Sequence, residues 1–464
     1  MSASEIRLGA AVLAGKLVAA LARTFRLGGG TTMPGRVARF VEPAIAARLA
    51  ARLDHGVIVV TGTNGKTTTS RLISHILGQA ALVSVHNRAG ANLAAGITAA
   101  LVQRATPRGR VQGDIGVFEV DEATLPVVQP SLRPRVLILT NLFRDQLDRY
   151  GEIDIVAGRW RSALQRIEPT ATVVFNADDP LVSEVARTHP GPQVPFGIED
   201  DACGLGTLEH AADARYCYRC GIPFVYRTVY FGHMGVYRCE RCGAARPAPL
   251  VAASEVTQRG IDGSAFRLRS PWGEAQVRTP LPGVYNIHNA LAAAACTLQQ
   301  GIPVEVVARG IESFAPAFGR AERVRVNRGE AILLLAKNPA GFNEVLRTML
   351  RAQGPQVALI AINDLTADGR DISWLWDVDF EMLVGRVRRV VVSGLRAEDM
   401  ALRLKYAGVD PAALELRKDL AAAFDAAAAA ADGSPLYVLP TYTAMLQLRA
   451  VLQRRGVVRG FWDD

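Results

Sequence analysis

Val57-Ile58-Val59-Val60-Thr61-Gly62-Thr63-Asn64-Gly65-Lys66-Thr67-Thr68-Thr69-Ser70 decides the fold. Four β-branched apolar residues in succession read as a strand buried on both faces of a parallel sheet. They run into a glycine-bearing loop, and Leu72, Ile73, Ile76 and Leu77 then recur at helical spacing. Strand, loop and helix in this order make a phosphate cradle. Gly62 and Gly65 let backbone N–H groups approach a polyphosphate, and the helix N-terminus adds its positive end. Lys66 is the candidate for the β- and γ-phosphates, and the Thr67 hydroxyl is a candidate Mg²⁺ ligand. Thr63, Asn64 and Thr68 complete the candidate ATP-binding loop. The general pattern G-x-x-x-x-G-K-[ST] has a further glycine at position 60, which is valine here.

Outward from this loop, 464 residues suffice for two or three domains, each with its own core. With 49% hydrophobic and 21% charged residues, the chain has the composition of a folded soluble protein. The net charge is +9, yet the lysines are only Lys16, Lys66, Lys337, Lys405 and Lys418. The basic residues form no long run and no interleaving with aromatics, which argues against nucleic acid as a partner. An anionic substrate, such as a phosphorylated lipid head group, fits the charge. Leu8 to Ala22 is apolar but interrupted by Lys16, too short to span a bilayer and without a clean cleavage site. It reads as an amphipathic helix packed on the protein or touching a membrane surface, and the expected location is cytoplasmic.

Residues 1–52 read as two helical stretches around Gly28-Gly29-Gly30-Thr31-Thr32-Met33-Pro34-Gly35, a segment expected to interrupt helix. From Val57, strands alternate with helices, as in an α/β domain with a parallel sheet. Gly116–Val120, Val136–Asn141 and Thr172–Asn176 each end in polar residues, where ligands collect in open α/β sheets. Residues 203–247 interrupt the pattern with short, aromatic, cysteine-bearing sequence, and the α/β pattern resumes at Leu281. A boundary near Phe318-Gly319-Arg320 separates residues 53–318 from a smaller α/β domain, 319–464. Strands are expected there near Ala331–Leu335, Val357–Ile362, Val390–Val392 and Leu436–Leu439, with a helix over Ala421–Ala431.

Cys217-x-x-Cys220 followed by Cys239-x-x-Cys242 has the spacing of a four-cysteine zinc ribbon. Four sulfur ligands leave no open position, so Zn²⁺ there would be structural. His233 is surplus to that set. Cys296 lies in an apolar alanine-rich helix, and Cys203 has no motif around it, so neither reads as a nucleophile. His288 suits local hydrogen bonding, and Trp374 and Trp376 read as packing or interface residues.

The phosphate loop resembles that of the Mur ligases and folylpolyglutamate synthases. Phe118-Glu119-Val120-Asp121-Glu122, Thr140 to Gly151, Asn176-Ala177-Asp178-Asp179-Pro180, Tyr285-Asn286-Ile287-His288-Asn289 and Gly319-Arg320-Ala321-Glu322 resemble further Mur ligase motifs in their usual order. Amino-acid-adding Mur ligases have histidine where Gln146 stands, and a carbamoylated lysine downstream. No lysine occurs here between Lys66 and Lys337. These departures, the cysteine insertion, Leu335 to Gly341 and Asn363 to Trp374, together with Gly28 to Gly35, instead resemble the MurT family, the ligase-like subunits of lipid II isoglutaminyl synthase.

This resemblance implies ATP-dependent amidation of the D-glutamate α-carboxyl of the lipid II stem peptide through an acyl phosphate, at the inner face of the membrane. Ammonia would come from a glutaminase partner of the GatD type. It implies a γ-phosphate role for Arg320, a place near the adenine for Asn289, and Mg²⁺ held by Thr67 and Glu119. It also implies that Asp371 is lent to the partner's Cys–His pair as a catalytic residue. By spacing, Asp364 and Asp368 are equally eligible, and Asp371 reads as a helix cap or a partner of Arg370. Two alternatives remain open: an amino-acid-joining ligase, and a non-catalytic ATP-binding module that recruits a partner through its zinc ribbon.

Overall fold

The computed structural model describes residues 2–25, 32–87, 91–144, 153–210, 212–315, 320–326 and 329–458. Val57–Thr61 lies inside a nine-stranded sheet, between Ile115–Glu119 and Val136–Leu139. The order from one edge is Gly273–Thr279, Ser264–Ser270, Val251–Gln258, Gln193–Ile198, Thr172–Asn176, Val136–Leu139, Val57–Thr61, Ile115–Glu119 and Ser84–His86. The alternation of a strand sorts its side chains between two layers. Ile58 and Val60 pack with Leu72, Ile73 and Ile76 of the helix Lys66–Gln79 and with the alanine-rich helix Val284–Gln299. Val57 and Val59 pack on the other face with Leu8, Val12 and Leu101. Every residue of Val57–Thr61 is buried, as the β-branched run predicts.

Several expectations are corrected. The strands Val251–Gln258, Ser264–Ser270 and Gly273–Thr279 extend the sheet before Leu281, the last two pairings being antiparallel. Their exposed outer positions blur the apolar run that marked the buried strands. Among the described residues three helices, not two, precede the sheet: Ala3–Thr24, Met33–Val41 and Ile45–Ala50. Gly28–Thr31 lie outside the described residues, but Met33, Pro34 and Gly35 begin a helix rather than interrupt one. Proline is tolerated in a first turn because its missing N–H has no intrahelical partner there. Gly35 is required by contact: a Cβ there would lie 1.8 Å from Ala95 O. These helices share their core with the central sheet.

The second sheet has six strands in the order Arg320–Val326, Gly329–Leu334, Leu436–Pro440, Gln356–Ala361, Val387–Ser393 and Leu414–Leu416. Only its first pair is antiparallel. Leu420–Ala431 is the expected alanine-rich helix.

Candidate active site and metal centre

Gly62 and Gly65 both have positive φ, +140° and +86°. Side chains are barred there for a second reason. A Cβ on Gly62 would lie 2.1 Å from Thr140 Oγ1, and one on Gly65 would lie 2.0 Å from Asn289 Oδ1. The loop is held from the end of the neighbouring strand. Asn141 Oδ1 accepts from Asn64 N at 2.8 Å, Thr140 Oγ1 donates to Asn64 O at 2.8 Å, and Thr63 N donates to Asn141 O at 2.9 Å.

Lys66 is buried, and its ammonium lies against the Gly62 carbonyl, donates to Thr63 O at 3.2 Å and pairs with Glu122 Oε2 at 2.9 Å. Burying an ammonium is costly unless it is paired, and these three acceptors supply the pairing. Thr67 Oγ1 donates to Glu119 Oε2 at 2.7 Å, and Asn92 Nδ2 reaches Glu119 Oε1 at 3.4 Å. Asn87 fixes the Glu119 backbone from both sides, accepting from its N–H and donating to its carbonyl, each at 2.9 Å. A hydroxyl and a carboxylate so close at the head of a phosphate loop form an all-oxygen donor set of the kind Mg²⁺ takes. The residues present therefore fit the ion.

Thr68 is buried in the first turn of the helix Lys66–Gln79. Asn289 accepts weakly from Thr69 Oγ1 at 3.4 Å and donates to Asn286 Oδ1 at 2.9 Å, so its amide stands against the phosphate loop. Arg320 opens the strand Arg320–Val326. Its side chain, Gly319 and Gln146 lie outside the described residues. Glu122, Asn87, Asn92 and Asn338 were missed by the sequence reading. The signal available for Glu122 was its place in the same acidic strand end as Glu119.

Asn338, in the motif Leu335 to Gly341 of the second domain, donates to Asn64 Oδ1 at 2.9 Å. It also caps the helix Pro339–Leu350 through Gly341 N. The second domain thus closes directly on the phosphate loop. A further latch comes from the insertion. Buried Glu209 accepts from Asn343 Nδ2 at 2.7 Å and also from Arg347 and from the Gly232 N–H. His210 Nδ1 lies 2.5 Å from Asp379 Oδ1. Arg144 bonds to Asp213 of the insertion and lies 3.6 Å from Asp377.

His288 makes the expected local bond and adds a distant one. Its Nε2 meets Asp178 Oδ2 at 2.7 Å, while its Nδ1 lies 3.3 Å from Val284 O. Asp178 also accepts from Arg246 Nε at 2.6 Å and Ile198 N at 2.9 Å. Burial alone would raise this carboxyl, but Arg246 and His288 outweigh it and hold it below its ordinary value. Asp179 accepts from Leu142, Leu181 and Val182 N–H groups. Both acids of Asn176 to Pro180 are therefore structural.

Cys217, Cys220, Cys239 and Cys242 converge, with all four sulfurs within 4.8 Å of one another. The two closest pairs are 3.5 and 3.4 Å apart. Tetrahedral zinc with Zn–S near 2.3 Å needs sulfurs separated by roughly 3.8 Å, so the set fits. Each Cys-x-x-Cys is folded as the same knuckle: Gly221 N donates to Cys217 O and Gly243 N to Cys239 O, the glycines having φ of +72° and +71°. Backbone N–H groups of Cys242 and Arg241 hold the Cys239 thiol down at about 6, whereas burial pushes Cys217 up to about 12. His233 is fully buried beside Asp179 and Phe143, outside the sulfur set. Burial also pushes the Cys203 and Cys296 thiols up to about 12, which disfavours the thiolate at both.

Of the three candidate acids in 363–374, Asp364 is paired with Arg396 at 2.7 Å. Asp368 is buried and accepts from Thr443 N at 2.8 Å. Asp371 is exposed. It accepts from Ser373 N at 2.8 Å, capping a short turn and keeping its carboxyl below the usual range. Close by in sequence, Trp376 is exposed and meets Tyr406 edge-on at 5.7 Å, while Trp374 packs on Phe342.

Residues 60–221 match the family model of the Mur ligase middle domain, and residues 335–445 match that of the MurT ligase C-terminal domain. A relative in Staphylococcus aureus (strain COL), the lipid II isoglutaminyl synthase (glutamine-hydrolyzing) subunit MurT, is 34% identical over 92% of this chain and 93% of its own. The subunit of the same name from Streptococcus pneumoniae (strain ATCC BAA-255 / R6) is 32% identical over 94% and 95%. Among solved structures, a pseudomurein peptide ligase type C from Methanothermus fervidus superposes with a TM-score of 0.65 at 22% identity, covering 87% of this chain and 79% of that one. That last likeness is one of fold.

Proposed function

This chain belongs to the MurT family of lipid II isoglutaminyl synthase subunits, and from that premise we propose that it is the ATP-dependent synthetase half of an amidotransferase. Its substrate is the stem-peptide carboxylate of lipid II in peptidoglycan synthesis. The observation that carries the reading is the joining of a Mur-type phosphate loop to a MurT-type second domain by the Asn64–Asn338 contact.

A carboxylate oxygen is a poor leaving group, so ATP transfers its γ-phosphoryl to the D-glutamate α-carboxylate, releasing ADP. Ammonia adds to the resulting acyl phosphate, phosphate leaves with the C–O electron pair, and loss of a proton from nitrogen gives the amide. Phosphoryl transfer depends on positioning and charge neutralisation more than on covalent help from the protein. Lys66 reaches the β- and γ-phosphates, and loop N–H groups cradle them. Arg320 is assigned to the γ-phosphate, with Asn289 at the nucleotide. Thr67 and Glu119 would hold Mg²⁺, which when bound neutralises phosphate charge. Cys217, Cys220, Cys239 and Cys242 would hold a structural Zn²⁺.

Ammonia is supplied by a GatD-type glutaminase, to which Asp371 is offered. A carboxylate in that position orients the partner's histidine and stabilises its imidazolium. Exposure of Asp371, and internal engagement of Asp364 and Asp368, support this assignment. The work is done on the cytoplasmic side of the membrane, where the lipid-linked precursor is made accessible.

The test is mass spectrometry of lipid II after incubation with Mg-ATP and either ammonium or glutamine, with and without the glutaminase. Amidation is expected from ammonium with this chain alone, and from glutamine only in the complex. Asp371→Asn is expected to abolish the glutamine reaction and spare the ammonium reaction. No amidation by the assembled complex, with ATP turnover instead dependent on a free amino acid, would overturn the reading.

A further inference from the structure

The N-terminal helix Ala3–Thr24 is apolar on two opposite sides. At about 100° per residue, Leu8, Ala11, Val12, Gly15 and Ala19 fall on one side, and all are buried against the central domain. Ile6, Leu13, Leu17 and Leu21 fall on the opposite side, and Phe25 follows just past the helix end. These five are between 47% and 66% exposed. The helix is 22 residues long, about 33 Å, and the row from Ile6 to Leu21 covers about 22 Å of it. The adjoining helix Met33–Val41 adds Phe40, which is 89% exposed.

Charge flanks these apolar groups. Lys16 and Arg23 border the exposed row on one side of the helix and Arg7 on the other, and Arg36 and Arg39 are exposed beside Phe40. Glu5 is the only acid in the two helices, and it is tied to Arg48 and Arg52 at 2.8 and 3.0 Å. An exposed apolar row with a basic border matches a bilayer interface bearing anionic head groups. No helix among the described residues is long and apolar enough to cross a membrane, so such a helix would lie on the surface.

We propose that the outer face of Ala3–Thr24, with Phe40, is a docking surface for an anionic lipid bilayer. Resting on the lipid II reading, it would hold the phosphate loop near a substrate that cannot leave the membrane. The alternative occupants, the glutaminase and a second copy of this chain, are less well matched. The proposed glutaminase contact, Asp371, is on the other domain, and a basic border on both copies would oppose self-association.

The test uses the full-length chain in complex with its glutaminase, as wild type and as Leu13→Gln/Leu17→Gln. Both positions are exposed, so the fold is expected to survive. Wild type should float with vesicles containing phosphatidylglycerol and should bind far less to pure phosphatidylcholine. The variant should lose vesicle binding by roughly tenfold or more, because two leucines no longer enter the apolar layer. Amidation of vesicle-embedded lipid II should fall with it, while amidation in detergent micelles stays at the wild-type rate. Equal flotation of variant and wild type would overturn the docking proposal. So would loss of the glutaminase or of a dimer from the variant in size-exclusion chromatography, either of which would identify a protein occupant. Retained micellar amidation in those cases would leave the catalytic reading standing, whereas its absence in wild type would strike that reading instead.

Discussion

Glu209→Ala tests whether the cysteine-bearing insertion holds the second domain closed. The Glu209 carboxylate accepts from Gly232 N, Asn343 Nδ2 and Arg347. Breaking a buried ion pair commonly costs about 3–5 kcal/mol because a charge is stranded. Arg347 is not stranded here, since Glu344 Oε1 lies 2.7 Å from its guanidinium. Asn343 also keeps a second acceptor, Asp379 Oδ2 at 2.8 Å. The bonds lost across the domain boundary are those from Asn343 and Arg347, and hydrogen bonds to a charged group contribute about 1.5–3 kcal/mol. The bond from Gly232 lies within the insertion and is lost in the open and closed states alike. The expected total is roughly 2–3 kcal/mol against closure, which corresponds to about a 30- to 160-fold greater open population. Native-state hydrogen exchange should report that increase at Pro339–Leu350, with the helix Lys66–Gln79 unchanged. Exchange at Pro339–Leu350 within about twofold of wild type would refute the latch. An equal increase throughout the central domain would do the same, by showing a general loss of stability.

Lys66→Ala should reduce ammonium-dependent amidation by about 10²–10³-fold or more, since a positioned charge on the transferring group is removed; near-normal turnover would displace Lys66 from the phosphate site. Metal analysis should find about one zinc per chain, and chelation should raise protease sensitivity within 203–247 before it affects Val57–Thr61; metal-free protein with an intact insertion would remove the zinc assignment. Asp178→Asn should destabilise the central domain by about 3–5 kcal/mol at neutral pH by breaking the bonds to Arg246 and His288. Because the folded carboxyl is held below its ordinary value of 3.8, this stabilisation is present above that pH and is lost as pH falls through the lower folded value. Urea titrations of wild type and variant should therefore converge below pH 3.8, and a constant gap would argue against the charged Asp178.

What the sequence determined by itself was whatever short-range chemistry fixes. A β-branched run followed by glycines and Gly-Lys-Thr can do little except form a strand, a phosphate loop and a helix, and Val57–Thr61 and Lys66–Gln79 are where that reading put them. Two Cys-x-x-Cys pairs each carry their own turn geometry, so their convergence was legible without knowing the rest of the fold. Met33-Pro34-Gly35 was misread because local rules treat proline and glycine as breakers. A first helical turn accepts proline, and the reason for Gly35, the backbone of Ala95, is distant in sequence. The strands from 251 to 279 were missed because half-exposed strands lack a continuous apolar run.

The tertiary structure alone decided the partners of buried polar groups. Glu122 for Lys66, Asp178 for His288, Asn338 for Asn64 and Glu209 for Arg347 are brought together across long stretches of chain. Burial makes an unpaired charge or amide costly, but it does not say which residue will satisfy it. That choice follows from which strand ends and helix termini the two sheets bring to the same place, and no local pattern encodes it.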